Sequence, residues 1–132
     1  MVLVDSSVWI DVFRDATTRK RSTLEKLIGE RTPVLTRFHQ IEMLQGAADE
    51  DEWDLLAQYL DHQDYLEMTE GSWREAARMY FELRRRGKTV RSSIDCCIAQ
   101  LALENGIELL HRDRDFAAIA KIRPLRQVYV SW

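Results

Sequence analysis

Apolar positions follow two rhythms that alternate from one end of the chain to the other. Short continuous runs, "MVLVD" (1–5), "PVLT" (33–36), "YLEM" (65–68), "IELL" (107–110) and "QVYV" (127–130), read as strands, the clearest of them as strands buried on both faces. Between them apolar residues recur every three or four positions, the spacing of a helix with one buried stripe. Val8, Trp9, Val12 and Phe13 mark a helix in "SSVWIDVFRD", with Ser6 or Ser7 available to cap it, and "STLEKLIGE" is a second amphipathic segment. Phe38, Ile41, Leu44 and Ala48 set the apolar stripe of a helix in "RFHQIEMLQGA", with Glu42 at its margin, and residues 51–61 extend the helical region. "SWREAARMYFELRRRG" closes at Gly87 and "SIDCCIAQLALENG" at Gly106, glycine being the residue that most easily ends a helix. A short helix near 114–121 precedes the last strand. Strand alternating with helix predicts an α/β domain built on a mainly parallel sheet.

The chain has 132 residues, the length of one ordinary domain, and a single domain over 1–132 is expected. "MVLVDSSVWIDVF" carries Asp5 and Asp11 and no basic stretch, so it reads as strand and helix and not as a leader. No apolar run approaches membrane-spanning length. Cys96 and Cys97 are adjacent, a poor arrangement for a disulfide and without zinc-ligand spacing, and a cytoplasmic protein is expected. A net charge of -3 gives no general attraction to nucleic acid. Charge is uneven, however: "RRRGKTVR" gathers five cations between Arg84 and Arg91, either as a basic rim beside an acidic pocket or as a solvated helix end.

The acids change the picture most. Asp5 directly follows the first strand, where a carboxylate has little structural use, and Asp113 follows "IELL" in the same way. In an open parallel sheet, ligands gather outside the carboxyl ends of the strands, where strand order reverses. Glu42, in the helix after the second strand, and Asp95, in the first turn of the helix after "VRSS", can project over the same edge. Each has a duller alternative: Asp95 as part of a capping box with Ser92, Glu42 as a solvated helix acid, Asp113 and Asp115 as caps of the helix that follows. Together, converging carboxylates repel and call for a cation. Oxygen ligands without His or Cys spacing select magnesium or manganese over zinc. His111 stands at a strand end and can face the pocket, whereas His39 and His62 lack partner spacing. The four tryptophans, Trp9, Trp53, Trp73 and Trp132, read as core or interface.

"VDSSVWID", "IEMLQG", "VRSSIDCCIA" and "HRDRDF" resemble the successive motifs of PIN-domain ribonucleases, and most closely the VapC toxins of bacterial toxin–antitoxin pairs. The resemblance runs from Asp5 to Phe116. It implies a three-layer α/β/α sandwich and Mg2+- or Mn2+-dependent cleavage of RNA, with transfer or ribosomal RNA as the substrate. It places the family's acids on Asp5, Glu42, Asp95 and Asp113, with Asp115 as an additional acid. Ser6 stands where such toxins often carry Thr. The resemblance also implies a homodimer and a small VapB-type antitoxin whose C-terminal segment wraps the toxin and pushes a basic side chain into the pocket.

On this reading Asp5, Asp95 and Asp113 hold the principal ion, Glu42 binds it through water or orients the nucleophile, and Asp115 supports a second ion or the attacking water. Ser6, Ser7, Arg91 and Arg112 are candidate substrate contacts, guanidinium being suited to phosphate. Trp9, Val12, Phe13, Leu24, Leu27 and Ile28 offer more apolar surface than one core contact uses and form the expected antitoxin groove. Two alternatives stand beside this: a phospho-acceptor receiver domain, which needs a lysine after a late strand that "QVYVSW" lacks, and an inactive binding module of the same fold, which should have lost an acid.

Overall fold

In the computed structural model, which describes residues 1–132, the strands are β1 (Val2–Val4), β2 (Pro33–Thr36), β3 (Tyr65–Leu66), β4 (Glu108–His111) and β5 (Gln127–Tyr129). The helices are α1 (Ser6–Arg14), α2 (Arg19–Ile28), α3 (Arg37–Gln45), α4 (Glu50–Asp61), α5 (Glu70–Arg85), α6 (Ser93–Asn105) and α7 (Asp115–Ala120). The strands form one sheet in the order β3-β2-β1-β4-β5, and every pairing is parallel.

Successive strand residues point to opposite faces, and the central strands divide their apolar side chains accordingly. Leu3, Val34 and Leu109 enter one core with Ala76, Met79 and Leu83 of α5, the buried face of α6, and Phe116 and Ile119 of α7. Val2, Val4, Leu35 and Leu110 enter the other with Val8, Trp9 and Val12 of α1, Leu24 and Ile28 of α2, Met43 of α3 and Leu60 of α4. Sheet strands with apolar residues on both sides therefore require helices on both sides, which is the three-layer sandwich. Cys96 and Cys97 are buried in the first core as free thiols.

Helix ends follow local chemistry. Thr69 caps α5 and exchanges hydrogen bonds with Ser72, which moves the helix start ahead of the apolar pattern. Asp49 caps α4, and Glu50, Asp51 and Glu52 fill its first turn, so residues 50–61 are a separate helix and not an extension of α3. Gly106 ends α6 at φ +61.

The stripe expected on α3 is corrected. His39 and Met43 are its buried residues, while Ile41 is 60% exposed. A polar residue holds the inward position because it has partners there, described below.

Leu3 lies fully buried in the central strand, directly before the site. Leu3→Ala is expected to cost roughly 2–5 kcal/mol of stability, measured as a shift of the urea midpoint at constant slope.

Candidate active site

From β1 the sheet runs through β2 and β3 on one side and through β4 and β5 on the other, so β1 and β4 flank the point where strand order reverses. Asp5 leaves β1 and Asp113 follows β4 at that edge. α6 brings Asp95 in its first turn, and Asp115 opens α7.

One carboxylate oxygen from each of Asp95, Asp113 and Asp115 lies within 4.8 Å of the other two. The local structure sets this spacing. Asp113 accepts the backbone N–H of Asp115 at 3.0 Å, and Asp115 accepts the backbone N–H of Arg91 at 2.9 Å. Ser92 caps α6 alone, through the backbone N–H of Ile94 at 3.1 Å, which leaves the Asp95 carboxylate out of the cap. Burial, with the negative fields of Asp113, Asp5 and Asp115, pushes the Asp95 carboxyl up to about 7. Asp115 and Asp95 thus enter the same trio, whereas Asp5 and Glu42 stand outside it.

Asp5 overturns the expectation that its carboxylate has little structural use. It is the N-cap of α1, its Oδ2 accepting the Ser7 backbone N–H at 3.1 Å and the Ser7 hydroxyl at 2.5 Å. Neither Ser6 nor Ser7 is the cap. Its Oδ1 accepts from His39 Nε2 at 2.8 Å. The Thr36 backbone N–H donates to His39 Nδ1 at 3.1 Å, so Nδ1 is bare and the ring proton belongs to Nε2. Burial would raise the Asp5 carboxyl; the hydrogen bonds from His39 and Ser7 outweigh it and hold the group below the usual carboxylate range.

His39 is therefore a site residue that sequence reasoning passed over. His39 lacks metal-ligand spacing, and its sequence signal is a different one: position 39 is the third residue after the strand-end Thr36, the spacing of a capping box.

The serines hold acids. Ser6 Oγ donates to Glu42 Oε2 at 2.5 Å, and Ser7 Oγ also accepts the Arg112 backbone N–H at 3.0 Å, joining the ends of β1 and β4. Both hydroxyls thus position other groups of the site, Ser6 the Glu42 carboxylate and Ser7 the Asp5 carboxylate and the backbone after β4. The Arg112 side chain is likewise engaged: Nε lies 2.8 Å from Asp11, another nitrogen bonds the Val130 carbonyl, and the guanidinium stacks on Tyr129 and Trp132. Arg91 is 78% exposed at its side chain and reaches over the acids, pairing with Asp113 and lying 3.5 Å from Asp115. His111 does not open to the pocket. Its Nδ1 accepts the Asp113 backbone N–H at 3.0 Å, its Nε2 bonds Gln127 at 2.6 Å, and burial lowers its basicity.

The expected antitoxin groove is also corrected. Trp9, Val12, Leu24 and Ile28 are buried, and only Phe13 and Leu27 of that set are exposed. These residues fill the space between α1, α2 and the sheet. A cleft of about 950 Å³ opens between α1 and α4, lined by Val12 and Phe13 of that set and by Ile10, Leu55, Leu56 and Tyr59, with Glu42 also on its wall.

A PIN-domain family profile matches residues 2–122. The chain belongs to the PIN-domain family. Curated relatives include the VapC ribonuclease Mb1587 of Mycobacterium bovis and ribonuclease VapC11 of Mycobacterium tuberculosis, each 34% identical over 129 residues and covering 96% of both chains. This PIN domain is thus of the VapC ribonuclease type. Its fold matches VapBC2 of Rickettsia felis, solved bound to a promoter DNA fragment, with a TM-score of 0.80 at 15% identity over 99% of this chain and 100% of that one. It also matches VapBC-5 of Mycobacterium tuberculosis, with a TM-score of 0.72 at 23% identity over 98% of each. Family membership sets aside the receiver alternative.

The donor set fits a hard divalent cation. Three carboxylates share one small space, no thiol or open imidazole accompanies them, and burial together with the neighbouring negative charges raises the proton affinity of Asp95.

Because Asp95 has a raised pKa in the folded chain, the folded state keeps its proton where the unfolded chain has lost it. Stability in EDTA should therefore fall as pH rises from about 4 through about 7. Asp95→Asn is expected to remove that fall and to stabilise the metal-free protein at pH 8 by roughly 1–2 kcal/mol after discounting for its partial exposure, as read by denaturant titration at several pH values. His39→Ala leaves the buried Asp5 charge without its donor and is expected to cost roughly 2–4 kcal/mol, with His39→Gln recovering part of the loss in the same assay.

Proposed function

We propose that the chain, as one nuclease domain, is the toxin of a toxin–antitoxin pair, an endoribonuclease that uses Mg2+ or Mn2+ to cut RNA. The observation that carries this reading is the convergence of Asp95, Asp113 and Asp115 at the switch point of a PIN fold. The relatives' names are those of ribonucleases, and the matched structures include toxin–antitoxin complexes, which support the activity and the partner class.

Asp95, Asp113 and Asp115 would hold the cation, with Asp5 beside them and Glu42 positioned by Ser6. When bound, a divalent cation lowers the pKa of a coordinated water and stabilises charge developing on phosphodiester oxygens. The chain's own part is to fix the acids. Asp5 is locked by His39 and Ser7, Asp113 is braced against the start of α7, and Glu42 is aimed by a short hydrogen bond. Glu42 is the acid available to orient a water or take its proton, since its second oxygen is not committed to Ser6.

Asp113→Asn and Asp95→Asn are each expected to lower cleavage of a mixed RNA substrate at least about a hundredfold, with circular dichroism unchanged. EDTA should abolish wild-type cleavage, and Mg2+ or Mn2+ should restore it. Mapping the new 5′ ends identifies the target RNA. Full cleavage by folded Asp113→Asn would contradict the reading. Asp5→Asn should also lose activity, but with a loss of stability, because the carboxylate caps α1 and answers His39.

The antitoxin segment is assigned to the partly apolar cleft between α1 and α4, whose wall includes Phe13 and Glu42. Phe13→Ala is expected to weaken the antitoxin complex by roughly 2 kcal/mol in a titration of inhibition. Trp9→Ala should instead reduce folding stability by roughly 3–5 kcal/mol, because Trp9 stacks on Phe13 from within the core.

A further inference from the structure

Arg91 is the one basic side chain that lies on the acid trio, and it does so through a separable arrangement. Its guanidinium pairs with Asp113 Oδ2 and lies 3.5 Å from Asp115 Oδ2, while its backbone N–H independently holds Asp115 Oδ2 at 2.9 Å. The backbone contact holds the loop to Asp115 whatever the side chain does; the side chain adds a charged hydrogen bond to Asp113. The two carboxylates are mostly covered, with side-chain exposures of 16% and 17%, whereas the Arg91 side chain is 78% exposed. An exposed guanidinium on half-buried acids has room to leave them, and an exposed ion pair is held by little net free energy.

Resting on the reading of Asp95, Asp113 and Asp115 as cation ligands, we propose that Arg91 is an exchangeable internal cation of this site. It competes with the divalent ion for oxygens of Asp113 and Asp115, and once displaced it turns to a phosphate of the RNA. Competition follows from the shared atoms. The lone pair that meets the guanidinium is not available to a metal, and two cations crowded onto three carboxylates repel at short range, so each weakens the other's hold. The phosphate step follows from reach and charge. Arg112 is tied to Asp11 and Val130, and Arg114 is exposed and makes no ion pair with the acids, so Arg91 is the arginine that lies on the acids and can be released from them towards solvent. Its planar fork suits phosphate oxygens as well as carboxylates. An acidic site must attract a polyanion, and a cation that exchanges from acid to phosphate lowers the repulsion when metal and RNA are both present.

This role has a two-signed consequence that a merely structural residue lacks: removing the side-chain charge should tighten metal binding and weaken RNA binding. The test is a Mn2+ titration of the RNA-free full chain, read by the electron paramagnetic resonance of free Mn2+, on wild type, Arg91→Gln, Arg91→Lys and Asp113→Asn. Arg91→Gln keeps the backbone contact to Asp115 and is expected to bind Mn2+ about fivefold more tightly than wild type, with Arg91→Lys in between. In parallel, a fluorescent single-stranded RNA oligonucleotide of mixed sequence is titrated in Ca2+, with cleavage checked on a gel. There Arg91→Gln should bind more weakly, with the slope of log affinity against log salt reduced by about 0.7, the loss of one phosphate contact. Equal Mn2+ affinity in wild type and Arg91→Gln, or an unchanged RNA salt slope, overturns the exchange. Mn2+ binding by Asp113→Asn equal to that of wild type would overturn the metal-site reading as well, so the two failures are told apart.

Discussion

The structure turns on an excess of negative charge held at one edge of a parallel sheet. Carboxylates do not gather spontaneously: each loses hydration on burial and each repels the others. Burial first and the neighbouring negative charges second raise the proton affinity of Asp95, and the groups around the acids keep them in place despite both. Backbone N–H groups from Ser7, Arg91 and Asp115, the hydroxyls of Ser6 and Ser7, and the His39 ring all donate to these carboxylates. Such a site is stable enough to exist and poor enough in positive charge to take a cation.

Two of the supports also explain how the fold and the site are one construction. Asp5 ends β1, caps α1 and receives His39 from α3, so the first acid is fixed by three elements at once. Ser7 connects Asp5 to the backbone after β4 and thereby sets the distance between the two central strands at the edge where the acids stand. The trio of Asp95, Asp113 and Asp115 is assembled across the gap by α6 and the turn into α7. Arg91 is the arginine that pairs with these acids, whereas Arg112 is spent on Asp11 and the C-terminal aromatics and Arg114 stays exposed without an ion pair.

The layered fold was legible in the sequence because strands buried on both faces leave continuous apolar runs, and these placed the strands to within one or two residues. Asp5 and Asp113 were legible for a related reason, since a charge just past such a run breaks the pattern conspicuously, whereas Asp95 and Asp115 sit at helix starts, where an acid is ordinary. What escaped was whatever depends on partners distant in sequence. His39 resembles an ordinary polar residue until Asp5 and Thr36 are beside it, and the α3 stripe was misread for the same cause. Trp9 is placed in the partner groove by the sequence because periodicity shows that a helix has an apolar side but not how wide the neighbouring core is. Tyr59, contributed from α4, closes over Trp9 and Phe13 and turns part of that surface inward.

The central claim is that Asp95, Asp113 and Asp115 bind the divalent cation on which the chemistry depends. Anomalous diffraction from crystals of the protein soaked in Mn2+ tests it most directly. The account predicts an anomalous peak about 2.0–2.3 Å from carboxylate oxygens of these three residues, with the Arg91 guanidinium moved off Asp113. A well-occupied Mn2+ peak elsewhere on the chain, with none at these acids, would contradict it.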